Sequence, residues 1–164
     1  MTKIIVADTG PLIALSTLEL LSELTQLFEE VYVPGAVIDE ALCSKHKPGA
    51  AGIALALKQG WIKRSQVTQT ATLKKLSLLL DAGESEALSL AKELGAIVLI
   101  DERKGRRVAK AHDIPIIGTA AVLVKAKRMG KIAYVKPLLE QLTEQGYRLN
   151  AQLVKHILIA CDEK

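Results

Sequence analysis

The stretch that decides the fold is DAGESEALSLAKELGAIVLIDERKGRRVAK, residues 81–110. Its first half carries apolar residues at three- and four-residue spacing, the pattern of one helix face: Ala87, Leu88, Leu90, Ala91 and Leu94. Gly95 is a natural end for that helix, and residues 96–100 follow as a short strand that is apolar on both faces. Asp101 and Glu102 stand where the strand ends, which is the edge of an open α/β sheet where binding sites form.

The same alternation of short apolar strands with helices continues along the chain, and it predicts a parallel sheet with helices on both faces. Extended segments are predicted at 3–7, 31–33, 61–63 and 114–117. Further helices are predicted at 12–16, 18–28, 35–43, 52–59, 73–80, 118–129, 135–145 and 150–161, in addition to one that begins near residue 103. The polar residues 65–72 predict a loop.

Composition sets the broad class. The chain has 164 residues, of which 49% are hydrophobic and 3% aromatic, so one domain with an aliphatic core is expected. Cys43 and Cys161 match no metal-binding spacing and form no disulfide framework, which favours a reducing, cytoplasmic location. No apolar run is long enough to span a membrane, and the immediate first strand leaves no room for a signal peptide. The net charge of +4 permits a polyanionic partner without requiring one.

Two acids in the first quarter of the chain are candidate site residues. Asp8 ends the first strand, and Pro11 favours the first helical position, so Thr9 or Gly10 is the expected cap and Asp8 is left available. Local hydrogen bonding is the alternative role for Asp8. Glu40 lies beside the apolar stripe of its predicted helix, where it can point into a cleft or simply face solvent.

The central stretch adds further acids. Glu84 and Glu86 open its helix, and Asp101 follows its strand. The structural alternatives are that Asp81 and Glu84 form a capping box and that Asp101 caps the next helix.

The sequence has no dinucleotide-binding glycine motif, no P-loop and no nucleophile elbow, and its three histidines are scattered. Carboxylates that converge in one pocket stay ionised together only when cations offset their charge, and hard oxygen ligands select Mg²⁺ or Mn²⁺. A basic run, residues 103–107 with Lys110, follows Asp101 and could bind phosphate at a helix start. Acids for metal beside cations for phosphate suit a nuclease, although the basic run could also be an ordinary solvated face.

At this point the chain resembles the PIN domains, and in detail a compact prokaryotic PIN-like family of unknown function related to toxin ribonucleases. The resemblance is carried by six segments: IIVADTGPLIALSTLELL (4–21), VYVPGAVIDE (31–40), GWIK (60–63), AGESEALSLAKELGAIVLIDERKGRRVAK (82–110), IIGTAAVLVKAKRMGKI (116–132) and QGYRLN (145–150). It therefore covers nearly the whole chain.

The resemblance implies a three-layer α/β/α fold with about four to five parallel strands, in a single domain 1–164 on which the helices at about 135–161 pack. It implies a Mg²⁺- or Mn²⁺-dependent endoribonuclease whose catalytic and metal-binding acids are Asp8, Glu40, Glu84 and Asp101. Glu86 and Glu102 are secondary acids. The substrate-binding candidates are Thr9, Arg103, Lys104, Arg106, Arg107 and Thr119.

The sequence departs from typical PIN toxins in two places. Glu84 stands where they carry Asp, and Glu102-Arg103-Lys104 replaces a further Asp and an aromatic residue. A longer or shifted carboxylate can weaken metal binding, so a catalytically weak or inactive PIN-like module that binds nucleic acid or protein is the alternative. A small-molecule enzyme on a flavodoxin-like sheet is a third hypothesis. RNA, an antitoxin protein and a second copy of the chain are the partners expected, and no membrane.

Overall fold

The computed structural model describes residues 4–164 of the protein, which is built on a five-stranded parallel sheet. The strands are β1 (Ile4–Ala7), β2 (Glu30–Pro34), β3 (Lys63–Ser65), β4 (Ile97–Leu99) and β5 (Ile116–Ile117), in the order β3-β2-β1-β4-β5. Consecutive residues of β1 are fully buried although they point to opposite faces, so both faces of the sheet are covered. The predicted α/β class with a central parallel sheet is confirmed. Lys3, predicted to begin the first strand, lies outside the described residues.

The chain divides into two compact units, described here as residues 4–118 and 119–164. The helices of the first unit are α1 (Thr9–Thr17), α2 (Leu21–Leu27), α3 (Gly35–Ala41), α4 (Ala50–Gln59), α5 (Ala71–Ser77), α6 (Ala82–Leu94) and α7 (Arg103–Ala111). The second unit consists of α8 (Thr119–Arg128), α9 (Lys136–Glu144) and α10 (Ala151–Ala160). The single-domain organisation stays a prediction.

The strand register brings the first and fourth strands to the same edge of the sheet. Ala7 pairs with Leu99, and the amide of Asp8 donates a hydrogen bond to the Leu99 carbonyl at 3.0 Å. Because both strands are parallel, the chain leaves them at the same edge, where Asp8 and Asp101 follow. Helix α6, which begins at Ala82, packs against both α3 and α5.

Four local predictions are corrected by the structure. Helix α1 begins at Thr9 with Asp8 at the N-cap position, one or two residues before the predicted cap, although Asp8 makes no side-chain capping bond. Glu102, whose carboxylate accepts from the Gly105 amide at 2.8 Å, caps α7 in place of Asp101. Helix α2 begins at Leu21 because the left-handed backbone of Glu19 interrupts the predicted helix. The third strand starts at Lys63, where the predicted extended segment 61–63 ends.

The second unit is tied together by Glu163. Its carboxylate accepts from Lys127 Nζ of α8 at 2.7 Å and from the amides of Val135 and Lys136, at the start of α9, at 2.8 and 3.0 Å. Burial by itself raises the pKa of Glu163, but these three hydrogen bonds outweigh it and lower the pKa to about 2. Asn150 caps α10, because its side chain accepts from two backbone amides of the first turn.

No helix within the described residues is long and apolar enough to cross a lipid bilayer.

Candidate active site

The first predicted acid, Asp8, is almost completely buried. Its residue is 6% exposed, and its carboxylate is used for no cap bond. Burial, opposed by the amide of Thr9 and reinforced by the charges of Asp81, Glu40 and Asp101, raises the pKa of Asp8 from 3.8 to about 7. The negative charges of these three carboxylates therefore act on Asp8 and disfavour its ionised form. That Asp8, Glu40, Glu84 and Asp101 together form one site stays a prediction.

Glu40 reaches the site from α3 and is held there by a neighbour of Asp8. The hydroxyl of Thr9, which is 9% exposed, donates to Glu40 Oε2 at 2.9 Å. Helix α6 closes over this pair at Gly83, where a Cβ would lie 3.1 Å from Glu40 Oε2 and 3.3 Å from Thr9 Oγ1. Any side chain at residue 83 would crowd the pair. Thr9, predicted as a substrate contact, thus serves here to orient Glu40.

Glu84 takes part in the capping box that its spacing predicted. Asp81 accepts from the Glu84 amide at 2.8 Å, and Glu84 Oε1 accepts from the Asp81 amide at 3.4 Å. The other oxygen, Glu84 Oε2, is buried, and no N–H group or hydroxyl of the described residues donates to it. Helix α7 approaches it at Gly105, where a Cβ would stand 3.0 Å from this oxygen and collide with Ile100 Cδ1.

The environment of Glu84 favours its protonated form. Burial, followed by the charge of Asp81 and by hydrogen bonding to Glu102, raises the pKa of Glu84 to about 8. Two carboxylates can share a hydrogen bond only when one of them carries a proton. The same contact therefore lowers the pKa of Glu102, for which the hydrogen bond from the Gly105 amide is the larger cause.

Asp101 lies at the end of β4 against a third glycine. A Cβ on Gly118 would be 2.9 Å from both Asp101 Oδ1 and Arg106 Nη1. Arg106 Nη1 also donates to the Ile100 carbonyl at 2.8 Å. The side chains of Asp101 and Arg106 thus both lie against Gly118. Arg106 is held by its hydrogen bond to the carbonyl of Ile100, the residue immediately before Asp101.

The remaining predicted residues divide into structural and exposed groups. Glu86 accepts from the Ala36 amide at 3.0 Å and so joins α6 to the first turn of α3. Because the Glu102 carboxylate accepts from the Gly105 amide, it already occupies the N-terminus of α7. A phosphate bound near this helix would therefore have to be bound by side chains and not by the free backbone amides. Three of the exposed cations of α7 are predicted substrate contacts that could serve this purpose: Arg103, Lys104 and Arg107. Thr119, a buried residue, begins α8 in the second unit.

Among the 161 residues at positions 4–164, no three His, Cys, Asp or Glu side chains are arranged so that they could hold one metal ion. Two of the predicted ligands have other contacts, Glu40 with Thr9 and Glu84 with the Asp81 amide. The four-carboxylate metal site therefore stays a prediction, and forming it requires these side chains to turn.

Sequence reasoning missed two parts of this site. Asp81 appeared only as a helix cap, yet its charge acts on both Asp8 and Glu84. The glycines at 83, 105 and 118 each approach one predicted acid, and the only signal in the sequence was glycine within or just before a helix.

Two solved structures have folds similar to this one. A domain of a functionally unknown protein from Methanocaldococcus jannaschii DSM 2661 is 20% identical, with 71% of this chain and 90% of that chain covered and a TM-score of 0.48. The PIN domain of human SMG5 is 24% identical, with 73% and 95% covered and a TM-score of 0.42. No curated protein matches the chain.

A family model, DUF3368, described as a PIN domain, matches residues 4–163. It spans all five strands and the acids at the edge of the sheet. The resemblance drawn from the sequence is thereby confirmed, and the chain belongs to the DUF3368 family of PIN domains.

Proposed function

We propose that this PIN domain is a Mg²⁺- or Mn²⁺-dependent endoribonuclease. The observation that carries the proposal is the burial of Asp8 within reach of the charges of Asp81, Glu40 and Asp101. Burying a carboxylate among other carboxylates destabilises a fold, and such groups cluster where chemistry requires them. Membership of the PIN family supports a nuclease-type module in general; the metal, the RNA substrate and catalysis are parts of the proposal.

The chemistry of the candidate ligands suits a hard divalent cation. Every candidate ligand is a carboxylate, the donor that Mg²⁺ and Mn²⁺ prefer. Glu84 Oε2 is buried and no N–H group or hydroxyl within the described residues donates to it, so it is the kind of atom that a cation would satisfy. Asp8, Glu40, Glu84 and Asp101 would hold the ion. A bound ion of this class lowers the pKa of a water molecule so that it can attack a phosphodiester.

The chain's own residues prepare the site for that chemistry. Thr9 holds Glu40 by its hydroxyl, and Arg106 fixes the end of β4 from which Asp101 projects. The exposed cations of α7 follow within a few residues of Asp101 and would attract the RNA backbone electrostatically. Near neutral pH Asp8 and Glu84 would release protons as a cation approaches, because positive charge favours their ionised forms.

The test is cleavage of a fluorogenic single-stranded RNA with and without Mn²⁺. Asp8→Asn and Asp101→Asn should each reduce cleavage at least about a hundredfold, since each removes a charged ligand while keeping its shape. Glu140→Gln, which removes an exposed carboxylate of α9, is the matched control and should cleave normally. Equal cleavage by the control and both site variants, each shown to be folded by circular dichroism, would refute the proposal.

A specific observation favours a second candidate, a catalytically weak or inactive binding module. Glu84 and Glu40 are held in hydrogen bonds with the Asp81 amide and with Thr9, contacts that stabilise the structure without a metal. In that case RNA or protein binding would be unaffected by EDTA, and Mn²⁺ would not raise the melting temperature.

A toxin role is a narrower proposal that rests on the family's resemblance to toxin ribonucleases. It predicts that cells stop growing when the wild-type chain is expressed in their cytoplasm, and that they grow normally when the Asp8→Asn variant is expressed. A small co-transcribed antitoxin that restores growth and co-purifies would identify the protein partner. Sedimentation of the purified chain would test the proposed homodimer.

A further inference from the structure

A groove lined by residues of α5, of the connection that follows α5 and of the start of α6 is not used by the chemistry proposed above. It holds about 520 Å³, within the roughly 300–1,000 Å³ of small-molecule sites. The residues that matter for its chemistry are Gln69, Leu73, Lys74, Lys75, Leu78 and Ala82. We call it the α5–α6 groove.

One side of the α5–α6 groove is apolar and unusually exposed. Leu78 is 86% exposed and the adjacent Leu79 is 50% exposed, in the short connection that leads from α5 to Asp81. Single exposed leucines are ordinary on protein surfaces; here two adjacent ones stand together, and Leu78 lines the groove. Leu73 and Leu76 of α5 are buried, so the exposed pair is not needed for the core.

The groove also has a positively charged part, which two lysines provide. Lys74 and Lys75 are both exposed and line the groove. The groove's acid, Glu86, accepts from the Ala36 amide, and Ser85 donates to the carbonyls of Leu80 and Asp81. The lysines are therefore the cations left to bind a ligand, and that ligand carries negative charge next to an apolar surface.

The position of the groove identifies the ligand further. Ala82 lines it, and the next two residues of α6, Gly83 and Glu84, contact the acid group on the inner side. The groove and the acids therefore share the first turn of α6, and a molecule in the groove would contact the same helix end as the acids. We infer that the α5–α6 groove binds a nucleotide of single-stranded RNA that flanks the cleaved bond. Its base lies against Leu78 and its phosphate against Lys74 and Lys75.

This inference rests on the proposed ribonuclease activity, but RNA binding in the groove can be measured independently of cleavage. Fluorescence anisotropy of a labelled eight-nucleotide poly(U), in EDTA and over a range of KCl concentrations, measures affinity without cleavage. The double substitution Lys74→Ala with Lys75→Ala should weaken binding about tenfold near 0.1 M salt. It should also reduce the slope of log K against log salt by about 0.7 for each phosphate that the lysines no longer neutralise.

Leu78→Ser should weaken the same binding several-fold and leave the salt slope unchanged, because it removes an apolar contact and no charge. Lys45→Ala with Lys47→Ala is the matched control. It deletes the same charge from an exposed loop outside the groove and should leave affinity close to wild type. Photocrosslinking with a 4-thiouridine oligonucleotide should label the peptide that contains Leu78.

The outcomes separate the two proposals. Groove-dependent binding without Mn²⁺-dependent cleavage supports the groove and removes the ribonuclease. Mn²⁺-dependent cleavage with groove and control variants that bind RNA alike overturns the groove and keeps the ribonuclease. If poly-L-glutamate displaces the labelled RNA as well as unlabelled poly(U) does at equal charge, the groove is a surface for acidic proteins and the assignment to RNA is overturned.

Discussion

Replacing Asp8 by Asn should stabilise the folded protein at alkaline pH, although it removes the most buried acid of the site. Raising the pKa of Asp8 from 3.8 to about 7 means that ionising it costs about 4 kcal/mol more in the folded state. The amide cannot ionise but must itself be buried, which offsets part of the gain. We expect a net stabilisation of about 3 kcal/mol at pH 8, a rise of roughly 6–12 °C in melting temperature.

The pH dependence gives the sign of this effect. A group with a raised folded-state pKa contributes stability that is fully present below its unfolded pKa and is lost as pH rises through the folded pKa. Below about pH 4 only the cost of burying the amide remains, so the variant should be about 1 kcal/mol less stable than the wild type. The variant should gain stability relative to the wild type from about pH 4 to about pH 7, and the difference should then level off.

Urea denaturation followed by the fluorescence of Trp61, the chain's one tryptophan, measures the difference in EDTA from pH 4 to pH 9. Glu140→Gln, which neutralises an exposed acid, should stay within about 0.5 kcal/mol of wild type throughout. An Asp8→Asn variant that is less stable than wild type at pH 8, or whose difference does not change with pH, would refute the reasoning.

Three further predictions test other parts of the structure. Gly105→Ala should destabilise the fold by about 1–2 kcal/mol because the new Cβ meets Ile100 Cδ1, and adding Ile100→Val, which removes that atom, should recover most of the loss. If the two substitutions lower stability additively in thermal melts of the double variant, this reasoning is contradicted. Asp81→Ala should lower the free energy of unfolding by about 0.5–2 kcal/mol at pH 5 because the helix cap is removed, and by less at pH 8 because a charge that repels Asp8 and Glu84 is removed as well. An equal loss at both pH values in urea titrations would contradict this prediction. Glu163→Gln should lower the free energy of unfolding by about 1–3 kcal/mol near pH 7, and by less as pH falls from 4.5 towards 2, because a lowered folded-state pKa gives stability that is lost when the group is protonated. Urea denaturation curves whose difference stays constant over that pH range would contradict this.

Local patterns predicted much of this fold because they reflect local physics. The capping box of Asp81 and Glu84, the left-handed Gly95 at the end of α6 and the Asn150 cap follow from contacts within one helix turn. The buried strand at 97–99 follows from a run of apolar residues. These features require no knowledge of the rest of the chain.

The contacts that shape the site depend on the packing of separate elements, which sequence spacing does not encode. Glu86 accepts from Ala36, fifty residues away, so an acid that looked like part of the site is a link between two helices. Glu102 caps α7 because its φ and ψ suit the position before the helix, while Asp101 remains at the strand end. Gly83 and Gly105 matter because other elements approach within van der Waals distance of them.

The most direct test of the central claim is a crystal of the wild-type protein grown or soaked at pH 8 with Mn²⁺ and measured for anomalous scattering. We predict a peak at the carboxyl edge of the sheet, bonded to Asp8 and Asp101, with Glu40 or Glu84 turned from its present hydrogen bonds to join them. An edge without any peak at millimolar Mn²⁺, or a peak that touches neither Asp8 nor Asp101, would contradict the claim that these acids share a metal ion.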